Sequence, residues 1–233
     1  MRDDLRRLAH AGLTFNAPLS DERANALVGA LPIAPGHHVL DLGCGWGELL
    51  LRLVDAHPAT TGTGVDTDRG SLDRGRRLAA QRGLLERVDF VEAEAASFEE
   101  RGDIVLCVGS SHAFGGSEAA LARLADRAQA GGRILYGDAF WAQEPGPVAH
   151  RVIGELPGFD DLAAFARAAG LRVERADRSS LAEWDAFEAG WRSRLEASSD
   201  PDTVAFAAER KREYEDGYRS ALGFAWLVLA PGR

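Results

Sequence analysis

The chain has 233 residues, 45 % of them hydrophobic, and a formal net charge of −9 at pH 7. That is enough apolar material for one core, and the negative charge opposes non-specific attraction to phosphate backbones, so nucleic acid is not an expected partner. No apolar run approaches the roughly 18–20 residues that span a bilayer, and Met1-Arg2-Asp3-Asp4 lacks the apolar centre of a signal peptide, so no membrane partner is expected and the chain is read as cytoplasmic.

In chain order, Leu5–Ala11 is a short helical piece, and Ser20-Asp21-Glu22 opens a second helix running to about Leu31, with a hydroxyl cap and an acidic first turn. The stretch His37–Leu53 follows. Val39-Leu40 enters Asp41, then glycines stand at alternate positions, Gly43, Gly45 and Gly47, before Leu49, Leu50 and Leu53 begin a helical pattern. This is a strand, a tight glycine turn and a helix start. Glycines allow positive φ and close approach of backbone to a ligand, while a helix N-terminus offers unpaired N–H groups. The spacing is G-x-G-x-G, not the G-x-G-x-x-G of dinucleotide sites, which argues against a nicotinamide oxidoreductase. A glycine-rich turn without a ligand is the bland alternative.

The run D-L-G-C-G-W-G resembles the first motif of the class I S-adenosylmethionine-dependent methyltransferases, which share a Rossmann-like sheet. The resemblance implies that Asp41 helps hold the amino acid end of the S-adenosylmethionine cofactor, and that Gly43, Cys44 and Gly45 lie against it. It also makes F-N-A-P-L-S, residues 15–20, similar to an N-terminal cover over the cofactor in a subgroup of these enzymes, with Phe15 a substrate candidate; an ordinary loop is the alternative.

Thr61–Val65 is the second strand, ending in Asp66-Thr67-Asp68. An acid at this place accepts hydrogen bonds from both ribose hydroxyls. Asp66 matches the family's second motif, with Thr67 beside it, and Asp68 reads as the cap of a helix over Ser71–Arg82. Val88–Glu92 is the third strand. The following Ala93-Glu94-Ala95-Ala96 resembles the family's adenine-binding turn, with Glu94 in place of the usual Asp and the Ala95 N–H as donor; a solvated acidic loop is the alternative.

Asp103–Val108 is an unbroken apolar run suited to the centre of a parallel sheet, and Val108 is assigned to the cofactor site. Cys44 and Cys107 make no disulfide framework or zinc cluster, and no metal is expected. The strand exit, Gly109-Ser110-Ser111-His112-Ala113-Phe114, faces the same crevice as the glycine turn, because open α/β sheets bind ligands at their carboxyl ends. His112 is the candidate general base, against a structural imidazole; Ser110 and Ser111 either orient substrate or cap the next helix, and Phe114 is a substrate candidate. That helix begins near Ser117, turns Leu121, Leu124, Ala125 and Ala128 inward, and ends at Gly131-Gly132.

Arg133–Tyr136 starts the fifth strand, and Phe140-Trp141 at its end either walls a pocket or covers the sheet, so Trp141 joins the substrate candidates. Pro145 and Pro147 mark an extended loop. A helix from Gly158 to Gly170 and a strand over Leu171–Arg175 precede a two-helix excursion, Leu181–Ser220, before the last strand, Phe224–Leu229. Trp184, Phe187, Trp191 and Leu195 share one helical face, and Val204, Ala208, Tyr214 and Tyr218 share another; such stripes are usually core, though a lid over an acceptor pocket, with Tyr214 a substrate candidate, is the other reading.

The expected fold is α/β: a seven-stranded, mostly parallel, doubly wound sheet whose last strand the resemblance makes antiparallel. It forms one domain, 1–233, with a helical cover at 1–35, a cofactor core at 36–180, the insertion at 181–222 and the last strand at 223–233. The expected activity is transfer of a methyl group from S-adenosylmethionine to an oxygen or nitrogen of a small-molecule acceptor by in-line displacement. Two alternatives stay open. One is a nucleic-acid or protein methyltransferase, disfavoured because G-S-S-H replaces the N/D-P-P-Y type sequence at the fourth strand exit; the other binds the cofactor without transferring methyl groups.

Overall fold

The computed structural model describes residues 2–232. Seven strands form one sheet in the order β3-β2-β1-β4-β5-β7-β6: β1 (His38–Leu42), β2 (Thr61–Asp66), β3 (Val88–Glu92), β4 (Gly102–Val108), β5 (Ala128–Trp141), β6 (Leu171–Arg178) and β7 (Leu222–Pro231). The first five pair in parallel, and β7 is antiparallel. Val39, Leu40 and Leu42 on β1 are fully buried, as are Val105, Leu106 and Cys107 on β4. Helices cover both faces of a parallel sheet, so its central strands read as continuous apolar runs and not as alternation.

The helices are α1 (Arg2–His10), α2 (Asp21–Ala30), α3 (Glu48–Ala56), α4 (Arg69–Gln81), α5 (Ser117–Arg127), α6 (Pro147–Ile153), α7 (Phe159–Ala168), α8 (Leu181–Glu196) and α9 (Pro201–Arg212), which continues as a π-turn over Glu213–Tyr218. Leu50, Leu51, Leu53 and Val54 of α3 are all fully buried. Each such side chain contributes about 1.5–3 kcal/mol of burial, so α3 is fastened along its length directly behind the glycine turn. Asp68 caps α4, accepting from Gly70 N and Ser71 N.

Backbone contacts divide the chain into two compact units. One comprises Asp21–Asp138, Asp160–Asp177 and Ala225–Arg233; the other Met1–Ser20, Ala139–Phe159 and Arg178–Phe224. In the second, α8 opens on a capping box between Ser180 and Glu183. The other carboxylate oxygen of Glu183 accepts from Ser20 N and Oγ, which fixes the end of the N-terminal segment to the start of α8. Asp200 caps α9 with Pro201 in its first turn.

Three sequence expectations are corrected. The helix expected to reach Gly131-Gly132 ends at Arg127, because Ala128 already pairs with Gly102; Gly131, at φ 81°, carries the extra residues of the bulge before Arg133 pairs with Ile104. Pro147 opens α6 instead of sitting in an extended loop, since proline is pre-shaped for a first helical position. On α9 the buried positions are Thr203 and Ala207, one residue before the predicted Val204 and Ala208. Val204 is 37 % exposed, whereas Tyr214 and Tyr218 in the π-turn are buried.

Candidate functional site

The glycine turn is held from three sides. Gly43 N and Cys44 N both donate to Val65 O at the end of β2. Gly45 N donates to Asp66 Oδ2 at 2.7 Å, and Asp66 Oδ1 accepts from Asp68 N at 2.8 Å. The first motif and the second strand exit are therefore one structure. Gly43 has φ 77°, and a Cβ there would lie 2.3 Å from the Ser110 Cβ, so the fourth strand exit presses directly on the turn. Gly45 has φ 55° and nothing within 4 Å of a would-be Cβ, which leaves open space over the backbone.

Asp41 lies beneath this turn, only 5 % exposed. Among the described residues its carboxylate has no hydrogen-bond or ion-pair partner. Burial, and secondarily the negative charge of Asp66, push its pKa from 3.8 up to about 7. Cys44 is also pushed up, first by burial and then by Asp41 and Asp66, so it is a thiol, and it donates to Gly45 O at 3.4 Å. A pair of carboxylates beside an open backbone cradle, one of them buried without a partner, fits a ligand carrying an ammonium group and hydroxyls.

The remaining predicted residues of this unit lie at the same carboxyl edge. Thr67 follows Asp66 in an exposed position. Glu94 is exposed and precedes a 3-10 turn, Ala95–Ser97, in which Ala95 is buried. That turn packs beside a second, Ser111–Phe114, which carries His112 and Phe114 after Val108. Arg123 and Arg127 of α5 donate to the backbone oxygens of Ala96 and Glu99, which ties down the backbone of the acidic loop, while the side chains of Glu92, Glu94, Glu99 and Glu100 are exposed. His112 is exposed, and its imidazole makes no hydrogen bond among the described residues, so the reading of a structurally bonded imidazole finds no support.

Ser110 corrects the two roles read for it. It is buried, donates to Leu42 O at 2.9 Å and lies 3.2 Å from Cys107 Sγ, so it neither faces substrate nor caps a helix. The other end of this loop is fastened too: Ser117 Oγ donates to the buried Asp138 at 3.0 Å, as does Tyr136 OH at 2.6 Å. No sequence motif announces the Ser110–Leu42 and Ser117–Asp138 bonds, because each joins residues distant in the chain that meet only in the folded sheet.

Three substrate candidates, Phe15, Trp141 and Tyr214, belong to the second unit. Phe15 is buried, Trp141 packs against His150 with ring centroids 6.2 Å apart, and the Tyr214 hydroxyl donates to Asp185 at 2.8 Å.

A family model described as a methyltransferase domain matches residues 39–132, from β1 into β5. The chain is 34 % identical to the protein YjhP of Escherichia coli K12 over 84 % of its own length and 82 % of the relative's. It is 30 % identical to trans-aconitate 2-methyltransferase of Paracidovorax citrulli over 58 % of this chain and 52 % of that one, about half its length. The solved structure of a SAM-dependent methyltransferase from Geobacter sulfurreducens in complex with S-adenosyl-L-homocysteine superposes with a TM-score of 0.87, 25 % identity, and coverage of 98 % of both chains. With the family match seated on the glycine turn and one relative aligned along most of both sequences, this chain belongs to the class I S-adenosylmethionine-dependent methyltransferases.

Proposed function

We propose that the protein methylates an oxygen or nitrogen of a small organic molecule, and that the cofactor lies across the Gly43–Gly45 turn. The observation that carries the reading is the buried, unpartnered carboxylate of Asp41 beneath an open glycine backbone. S-adenosylmethionine, when bound, supplies a methyl group already activated on a sulfonium, so the protein's task is mainly alignment. Asp41 accepts from the ammonium of the amino acid end. Asp66 uses one lone pair of each oxygen on Gly45 N and Asp68 N, and has capacity left for ribose hydroxyls. Glu94 and the Ala95 N–H receive the adenine, and Cys44, Thr67 and Val108 line the same edge. Because few catalytic side chains are needed, His112 stands alone as the group that takes a proton from the acceptor, on a loop fixed by Ser110 and Ser117.

Phe15, Phe114, Trp141 and Tyr214 are proposed to contact the acceptor. A small-molecule acceptor is supported by the relative named for trans-aconitate and by the net charge of −9, which disfavours nucleic acid. Within one domain, 1–35 is assigned as cover, 36–180 as cofactor core, 181–222 as insertion and 223–233 as last strand. A cytoplasmic location is proposed, and no helix of the described residues is long and apolar enough to cross a membrane. The test is incubation with methyl-labelled S-adenosylmethionine and fractionated cell extract. Label in the small-molecule fraction supports the proposal; label confined to protein or nucleic acid overturns it.

A further inference from the structure

Between His112 and α5 the chain passes through Gly115 and Gly116, at φ 90° and 121°, and nothing lies within 4 Å of a Cβ built at either. Glycine has the widest choice of backbone angles, so the course of this open stretch is set by its hydrogen bonds. Ser110 O accepts from Ala113 N at 3.0 Å, Ser111 O from Gly116 N at 3.1 Å and His112 O from Gly115 N at 3.2 Å. These bonds close residues 110–116 into one unit, and a shift at Gly116 is passed through Ser111 to its neighbour His112.

Ser110 pins the entry of this unit to β1, through Leu42 O. Its exit is pinned to β5. The helix α5 starts without a side-chain cap, and the hydroxyl at its first position, Ser117 Oγ, donates away from the helix to Asp138 Oδ2 at 3.0 Å. The same oxygen accepts from Tyr136 OH at 2.6 Å. Burial first, and then the Asp138 charge, hold the Tyr136 hydroxyl well above its usual pKa, so it stays a donor. Ser117 and Asp138 are buried and Tyr136 is fully so, which keeps water from replacing either bond.

We propose that Asp138 is a positioning residue for methyl transfer, which acts through Ser117 and the closed turn to fix where His112 stands at the strand exit. The inference rests on the reading of His112 as the group that takes a proton from the acceptor. In this role Asp138 neither takes the proton nor touches substrate. A base must come within about 2.6–3.2 Å of the group it deprotonates, and a misplacement of about 1 Å can cost about 10²-fold in rate. The glycine turn is held by Val65 O and Asp66 and does not depend on Ser117, so cofactor binding is spared.

The test measures initial rates of label transfer from methyl-labelled S-adenosylmethionine into the small-molecule fraction of a cell extract, over a dilution series of that fraction. The full-length protein is compared with Ser117→Ala, His112→Ala and the double variant, and calorimetry reads the affinity of each for S-adenosylhomocysteine. Ser117→Ala should lower the limiting rate about tenfold, with the half-saturating dilution and the S-adenosylhomocysteine affinity kept within about twofold. On the His112→Ala background the same change should cost no more than about twofold, because no base is left to position. Asp138→Asn keeps an oxygen for Ser117 but loses the charge; it should cost about threefold and be equally silent without His112, so the comparison survives a Ser117→Ala that does not fold. An unchanged rate in both anchor variants, a full loss repeated on the His112→Ala background, or a fall in cofactor affinity that matches the fall in rate overturns the positioning role and leaves His112 as the base. Normal turnover by His112→Ala, or no label transferred by the parent, removes the base reading itself and the proposal with it.

Discussion

Replacing Asp41 with Asn should make the cofactor-free protein more stable while weakening its hold on the cofactor. The carboxyl is 5 % exposed, without a partner, and shifted from 3.8 to about 7 by burial and by Asp66. A raised acid pKa means that the folded state resists ionisation. The penalty is absent well below the unfolded pKa, grows as pH rises above it, and is complete above the folded value. At about 1.4 kcal/mol per pH unit, it amounts to roughly 2 kcal/mol at pH 5 and roughly 4 kcal/mol at pH 8. Asn carries its own desolvation cost, but that cost does not change with pH. The discriminating quantity is therefore the growth of the stability difference between pH 5 and pH 8, about 2–3 kcal/mol, or roughly 5–10 °C in melting temperature for a chain of this size. Urea unfolding of both proteins at several pH values without cofactor measures it. A difference that stays flat across this range would refute the isolated, desolvated carboxylate. In the unsubstituted protein, cofactor affinity should fall as pH drops through about 7, as Asp41 takes up its proton.

Asp66→Ala should lower cofactor affinity about tenfold or more by removing the ribose acceptor and also loosen the turn through Gly45; calorimetric affinity equal to that of the parent would remove the assignment. His112→Ala should leave cofactor affinity within about twofold but slow methyl transfer about 10²–10⁴-fold for an acceptor that must lose a proton, and normal turnover would exclude the base role. Gly43→Ala places a methyl 2.3 Å from Ser110 Cβ at φ 77°, so a loss of more than about 1–2 kcal/mol is expected. Adding Ser110→Gly should recover part of it, and a double variant no more stable than Gly43→Ala would show that the clash is not with Ser110.

The glycine turn and the helix starts were legible because their residues are contiguous and constrained locally. The glycines of 43–47 all have positive φ, which only glycine adopts without strain, and Asp68 and Asp200 cap the helices that directly follow them. Where local signals competed with pairing, pairing won. The helix expected to continue to Gly131 gave way to the Ala128–Gly102 pair, and the buried stripe on α9 falls on Thr203 and Ala207, one residue before the expected one.

The sequence by itself determined the class of fold and the turn on which the cofactor is proposed to lie, because hydrophobic runs, glycine spacing and caps are properties of neighbouring residues. Only the tertiary structure decided that Ser110 bolts the fourth strand exit to the first, that Asp138 holds Ser117, and that Asp41 is buried without a partner among the described residues. Each of these depends on what lies across a gap from the side chain. Burial and partnership are set by residues distant in the chain, which local patterns do not encode.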